Sequence, residues 1–172
     1  MRKSLIRNMG IGFIVDLEFT REFSLLLATE FVSLLVKDLR MKGLVVGPDF
    51  AMGHNRKGNI PTLQTLAKKM DFHLEVVEPR LLCGQVVKSS DIRTLVATDE
   101  VDQASQMLGR PFALTGSVSH GKSRGRILGF PTANLKVDSG ILMPSNGIYA
   151  SWATIDGRRF QAATSVGVNP TF

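Results

Sequence analysis

Apolar residues recur along this chain with two different periods, and the change of period divides it. Residues 3–9 read as the end of a helix closed at Gly10. The short apolar run at 13–17 predicts a strand. Phe31, Leu34, Leu35 and Leu39 stand at helical spacing and predict a helix over 29–39, with Thr29 as its cap. Gly43 to Val46 predicts a buried strand. Residues 60–70 predict a helix, with Asn59 as N-cap and Pro61 in the first turn, where a missing N–H is tolerated. Phe72, Leu74 and Val76 then alternate as in a strand over 72–77.

Strand, helix, strand, loop, helix, strand is the rhythm of an open α/β sheet. Ligands of such sheets sit beyond the carboxyl ends of the strands. The loop over 47–59, GPDFAMGHNRKGN, leaves such an end. It reads either as a ligand loop or as an ordinary turn-rich connection, with His54 as an exposed loop residue. Ser89 or Ser90 predicts the cap of a helix carrying Ile92, Leu95 and Val96 inward. Two hydroxyls at a helix N-terminus with Arg93 one turn later make an anion site; a plain capped helix with an exposed arginine is the other reading. A helix over 101–108 ends at Gly109, and Gly109-Arg110-Pro111 marks a boundary between segments 1–109 and 110–172.

Past that boundary the period becomes two. Phe112, Leu114, Gly116 and Val118 alternate, and 148–155 and 158–166 read as strands joined by the hairpin signal Asp156-Gly157. Short strands with tight turns predict a small antiparallel barrel.

Charge sharpens the division. Residues 1–109 hold 14 Lys/Arg against 13 Asp/Glu, whereas 110–172 hold 7 against 2. A basic second segment points to an anionic partner, a nucleotide or, less specifically, a nucleic acid. With one Trp and one Tyr in the chain, a stacking platform for nucleic acid is not evident. The single cysteine, Cys83, excludes an internal disulfide framework and suits a reducing compartment. No run of about 18 apolar residues is present, so no membrane span is expected. With no signal peptide in MRKSLIRNMGIGF, the expected location is the cytoplasm.

The densest chemistry lies in GSVSHGKSRGRILGFPTAN, residues 116–134. Glycines let backbone N–H groups approach an anion, and Lys122, Arg124 and Arg126 add charge. Such a loop could hold phosphates, or it could be a solvated basic turn; it is not a Walker loop. Thr132 and Asn134 carry hard oxygen donors two residues apart. In an extended segment both point to one side and could bind one Mg2+ beside those phosphates.

This stretch resembles the nucleotide-binding segment of the riboflavin kinase family, whose PTAN motif follows a glycine- and arginine-rich loop. ILMPSNGIYA resembles that family's L-P-x-x-G-V-Y-A segment, and SVGVNPTF its N-I-G-x-x-P-T-F strand. Upstream, GPDFAMGHNRKGN resembles the G-x-D-F-x-F-G-x-x-R-x-G loop of the bacterial FMN adenylyltransferase domain. VKSSDIR resembles the nucleotidyltransferase motif S-S-T-x-I-R, with Lys88 where the first serine usually stands, and DEVDQASQMLGRPF the helix and linker entering the kinase module. The chain is therefore similar, from about Lys3 to Phe172, to the bacterial bifunctional riboflavin kinase/FMN adenylyltransferase (FAD synthetase) family.

The resemblance implies a partial α/β, Rossmann-like nucleotidyltransferase fold over 1–109, the C-terminal part of the adenylyltransferase domain. It implies a partial antiparallel β-barrel of riboflavin-kinase type over 110–172, the N-terminal part of that domain. The activities implied are phosphorylation of riboflavin to FMN by ATP and adenylylation of FMN to FAD, with Mg2+ as cofactor. The partners implied are small molecules, with no membrane and no nucleic acid. Thr132 and Asn134 would serve the Mg2+–ATP site, under a flap containing Gly121, Lys122, Gly125 and Arg126. Ser89, Ser90 and Arg93 would face a triphosphate, and Asp49 and Phe50 the flavin nucleotide. The family's H-x-G-H motif is not found, and no Asp or Glu follows Asp156 to serve as the kinase base. The expectation is thus a fragment of a bifunctional enzyme. The alternatives are a non-catalytic nucleotide- or flavin-binding remnant and a basic nucleic-acid-binding β-module.

Overall fold

The computed structural model describes residues 2–119, 129 and 132–167. They fall into two compact units, Met1–Arg80 and Leu81–Phe172. In the first, helix α1 (Arg2–Asn8) stops just before Gly10, which turns left-handed. Residues 11–20 adopt no regular structure, so the strand expected at 13–17 does not form, and Phe13 is 92% exposed. An alternating apolar run becomes a strand only beside a partner, and no described strand pairs with it. Helix α2 (Arg21–Leu25) follows, capped by the Thr20 hydroxyl, which accepts from the Phe23 N–H at 3.1 Å.

Helix α3 (Ala28–Asp38) begins earlier than its apolar pattern suggests. Leu27 holds the N-cap position, and its N–H donates to the Glu30 carboxylate at 2.8 Å. Thr29 therefore lies inside the helix and does not cap it, because Glu30 reaches back to satisfy an otherwise orphaned donor. The buried line is Ala28 and Val32, with Val36 beside it, while Leu34 and Leu39 face outward. Packing chose the stripe with the small residue on it.

Strand β1 (Gly43–Val46), helix α4 (Ile60–Met70) and strand β2 (His73–Val76) form a parallel β-α-β arrangement, with Gly43 opposite His73 and Val46 opposite Val76. As expected, the Asn59 side chain caps α4, accepting from the Thr62 N–H at 3.2 Å. Val32, Leu63, Leu66, Ala67 and Phe72 make the core, and Leu44 and Leu74 of the sheet pack against it. Complete burial of a side chain such as Leu63 contributes about 1.5–3 kcal/mol.

The second unit opens with a small hairpin, β3 (Leu81–Leu82) and β4 (Gln85–Val86), turning through Cys83-Gly84 at φ 49° and 79°. Its two-residue strands are too short for any periodicity to announce them. Helices α5 (Ser89–Ala97) and α6 (Val101–Leu108) pack together and bury Val96 and Ala104, with Ile92 and Leu95 half-buried. Gly109 ends α6 in the left-handed conformation.

Alternation over 112–118 overstated the next strand. Phe112 is instead tied to α6, its N–H donating to the Ser105 hydroxyl at 3.2 Å. The ladder starts only at β5 (Gly116–Ser119), antiparallel to β6 (Asn134–Val137). Strands β7 (Gly147–Ile155) and β8 (Arg158–Val166) then form a hairpin through Asp156-Gly157, as the turn signal predicts. The Arg159 guanidinium lies 4.3 Å from the centre of the Trp152 ring, a cation–π contact of about 0.5–1 kcal/mol at an exposed site. Antiparallel pairing is the character expected of the second segment.

Tyr149 anchors β7, its hydroxyl donating to the Ser145 carbonyl at 2.7 Å. The Ser145 hydroxyl, hydrogen-bonded to the phenol oxygen, draws its pKa down, but a hydrogen bond and the charge of Asp99, together with desolvation, outweigh this and raise it. The neutral phenol is thus favoured in the fold. Its contribution holds below the ordinary tyrosine value of about 10 and fades as pH rises through the folded value. Tyr149 is the sole tyrosine, so phenolate absorbance reports on it alone. The folded chain should titrate above free tyrosine, and Tyr149→Phe should remove the associated alkaline loss of thermal stability.

Candidate functional site

The connection from β1 to α4 is closed upon itself. Met52 and Gly58 exchange both backbone hydrogen bonds, at 3.1 and 2.9 Å. The closed loop lies on the start of α3. A Cβ on Gly53 would stand 2.4 Å from the Ala28 nitrogen, and one on Gly58 would stand 2.5 Å from the Ala28 Cβ. The His54 N–H donates to the Leu26 carbonyl at 2.7 Å, and its Nδ1 lies 3.4 Å from the Ser24 carbonyl. His54 is thus half-buried and engaged in holding the loop, not the exposed residue expected from sequence.

These anchors leave a corner at residues 47–50. The Phe50 N–H donates to the Gly47 carbonyl at 3.2 Å, and the Arg56 Nη2 donates to the Asp49 carbonyl at 3.1 Å. Asp49 and Phe50 are both exposed, just beyond the carboxyl end of β1. That is where an open α/β sheet presents its ligand-binding loops.

The first turn of α5 carries Ser89 and Ser90, but neither caps it. Lys88 holds the N-cap position, with no side-chain cap. Ser90 Oγ donates to the Asp91 carboxylate at 2.9 Å. The two hydroxyls therefore belong to the helix itself, and the expected capping role is overturned by a start one residue earlier. Ser89 and Arg93 share one face, four residues apart, and both are exposed. Asp91 stands in the same turn and opposes an anion there.

The third group lies at the start of β6. Ser119 and Asn134 are directly opposite, and the Ser119 hydroxyl donates to the Asn134 carbonyl at 3.5 Å. The basic stretch between them thus leaves and re-enters the sheet at one point. Thr132 and Asn134 are exposed. Gly121, Lys122, Gly125 and Arg126 lie outside the described residues. Among the described residues no cluster of three or more His, Cys, Asp or Glu could hold a metal.

Sequence reasoning singled out Asp49 and Phe50 but missed Arg56, which holds their corner. The available signal was the spacing of Gly47, Gly53 and Gly58 around Asn55-Arg56, which marks a doubling-back loop rather than a plain connection.

A parallel α/β unit with an exposed loop at a strand end, followed by paired antiparallel strands, matches the nucleotidyltransferase-then-kinase order. Residues 1–91 match the FAD synthetase family model and residues 108–172 the riboflavin kinase model. The chain belongs to the FAD synthetase family. It is 32% identical over 167 residues to the bifunctional riboflavin kinase/FMN adenylyltransferase of Listeria monocytogenes, covering 96% of this chain and 52% of the relative. It is 35% identical over 170 residues to that of Escherichia coli K12, covering 96% and 53%. A crystal structure described as a macrolide-efflux protein from Streptococcus pneumoniae superposes with a TM-score of 0.87 at 31% identity, covering 99% of this chain and 55% of that one. The chain spans about half the length of the curated relatives it matches. Among the described residues no helix is long and apolar enough to cross a membrane.

Two substitutions test this geometry. Gly53 has φ 73° and ψ 173°, a region almost restricted to glycine, in addition to the close approach. Gly53→Ala should destabilise the chain by about 1–3 kcal/mol in chemical denaturation. Ser90→Ala should change stability by less than about 0.5 kcal/mol, as for an ordinary surface position. A loss near 1 kcal/mol in the same assay would restore the capping role.

Proposed function

We propose that this chain is the central part of a bifunctional enzyme of FAD biosynthesis. One activity transfers the γ-phosphoryl of ATP to the riboflavin 5′-hydroxyl, releasing ADP and forming FMN. The other attacks the α-phosphorus of a second ATP with the FMN phosphate, releasing pyrophosphate and forming FAD. The observation that carries this reading is the succession, in one chain, of a FAD synthetase segment and a riboflavin kinase segment. The curated relatives bear both activities in their names.

Adenylylation belongs to residues 1–109 and riboflavin phosphorylation to residues 110–172, with the boundary at Gly109-Arg110. In the adenylyltransferase part, Asp49 and Phe50 contact the flavin nucleotide, and Ser89, Ser90 and Arg93 bind the ATP triphosphate. Exposure of all five side chains supports this, since each is open to a ligand.

In the kinase part, Thr132 and Asn134 hold Mg2+ with the ATP phosphates. Their hydroxyl and amide oxygens are the hard donors such an ion takes, and both are exposed, Asn134 as the first residue of β6 and Thr132 just before it. Because both are neutral, the phosphates supply most of the negative charge. When bound, the ion neutralises charge developing on the transferred phosphoryl group. Gly121, Lys122, Gly125 and Arg126 cover the phosphates in this reading. Phosphoryl transfer depends mainly on such positioning, and no residue of this chain is assigned as the base.

The two-site division is tested in the complete enzyme with Thr132→Ala. Riboflavin phosphorylation should fall by about 100-fold or more, the scale of losing a group that stabilises transition-state charge. Adenylylation of supplied FMN should remain near its starting rate. Equal loss of both activities would sink the assignment of separate sites.

A further inference from the structure

We propose that Arg56 is a positioning residue that holds the Asp49-Phe50 corner in shape for its ligand. The ligand's identity as a flavin nucleotide rests on the function proposed above; the positioning role rests on geometry alone. Gly53, Asn55 and Arg56 all have positive φ, at 73°, 55° and 55°. Asparagine tolerates that region, whereas an arginine there carries a Cβ crowded against its own backbone. Steric preference therefore does not explain an arginine at this position. What the reversal achieves is to send the guanidinium back along the loop to the Asp49 carbonyl, 3.1 Å away.

The contact is made to the main chain and not to the Asp49 carboxylate; no ion pair joins the two side chains among the described residues. Arg56 thus fixes the peptide between Asp49 and Phe50 while leaving the carboxylate charge in place. The same corner is held from the other side by the Phe50 N–H bond to Gly47. The base of the loop has an independent lock, the Met52–Gly58 bridge and its seat on Ala28. Removing the guanidinium should therefore loosen residues 49 and 50 without unseating the base.

Arg56→Gly is the direct test, because glycine accepts the positive φ and removes the donor without adding strain. Amide hydrogen exchange by NMR should show the Phe50 N–H exchanging about tenfold faster, the scale of one hydrogen bond to a charged group. The Met52 and Gly58 amides should keep their rates. In parallel, FMN affinity read by flavin fluorescence should fall about tenfold with ATP affinity unchanged, and Arg56→Lys should recover part of it. An unchanged Phe50 rate would overturn the proposal. So would equal acceleration of all three amides, since that marks a general structural role. If the unsubstituted chain does not bind FMN, the flavin reading of the corner fails, and the exchange rates still decide whether Arg56 positions it.

Discussion

The connection between β1 and α4 can rest on the start of α3 only because residues 53 and 58 lack side chains and residue 28 has the smallest one. Those three positions set how closely a loop backbone and a helix end can meet. From that contact follow the inward face of α3, the half-buried His54, and the height at which the 47–50 corner stands above the strand. The hydrophobic core supplies most of the stability, but it would accept several loop conformations. The glycine–alanine contact selects one.

The second unit obeys a different constraint. Its helices bury only Val96 and Ala104 completely, and its long hairpin leaves Ile148 and Trp152 largely in solvent. Local devices carry more of the organisation: left-handed residues at turns, the Ser105 hydroxyl receiving Phe112, and Tyr149 fastened to Ser145. Of the described residues proposed for phosphate or metal binding, Ser89 and Ser90 lie in the first turn of α5 and Asn134 is the first residue of β6. Rigid elements thereby present exposed polar groups, with little core to perturb behind them.

Much of this was legible in the sequence. Asn59 with Pro61 announced α4, Gly109 the end of α6, and Asp156-Gly157 the hairpin, because caps and turns depend on chemistry within a few residues. The failures share one cause. The strand at 13–17 needed a partner that its own alternation could not supply. Thr29 lost the cap of α3 to Glu30, and Ser89 and Ser90 lost that of α5 to a start at Lys88. The outward side of α3 carried larger apolar residues than the side that packs. Each outcome was decided by neighbours rather than by local preference. At the candidate site, the motif singles out Asp49 and Phe50, while Arg56 becomes visible only because a chain reversal brings it to a carbonyl seven residues back.

The pairing of Ser119 with Asn134 has a consequence for how this protein can change. The sheet itself brings the two ends of the intervening sequence together. The cost of closing such a connection grows only logarithmically with its length, about 0.6 kcal/mol for each doubling. Chain closure therefore sets only a weak limit on the length of the basic stretch, because the Ser119–Asn134 pairing already fixes where its ends meet.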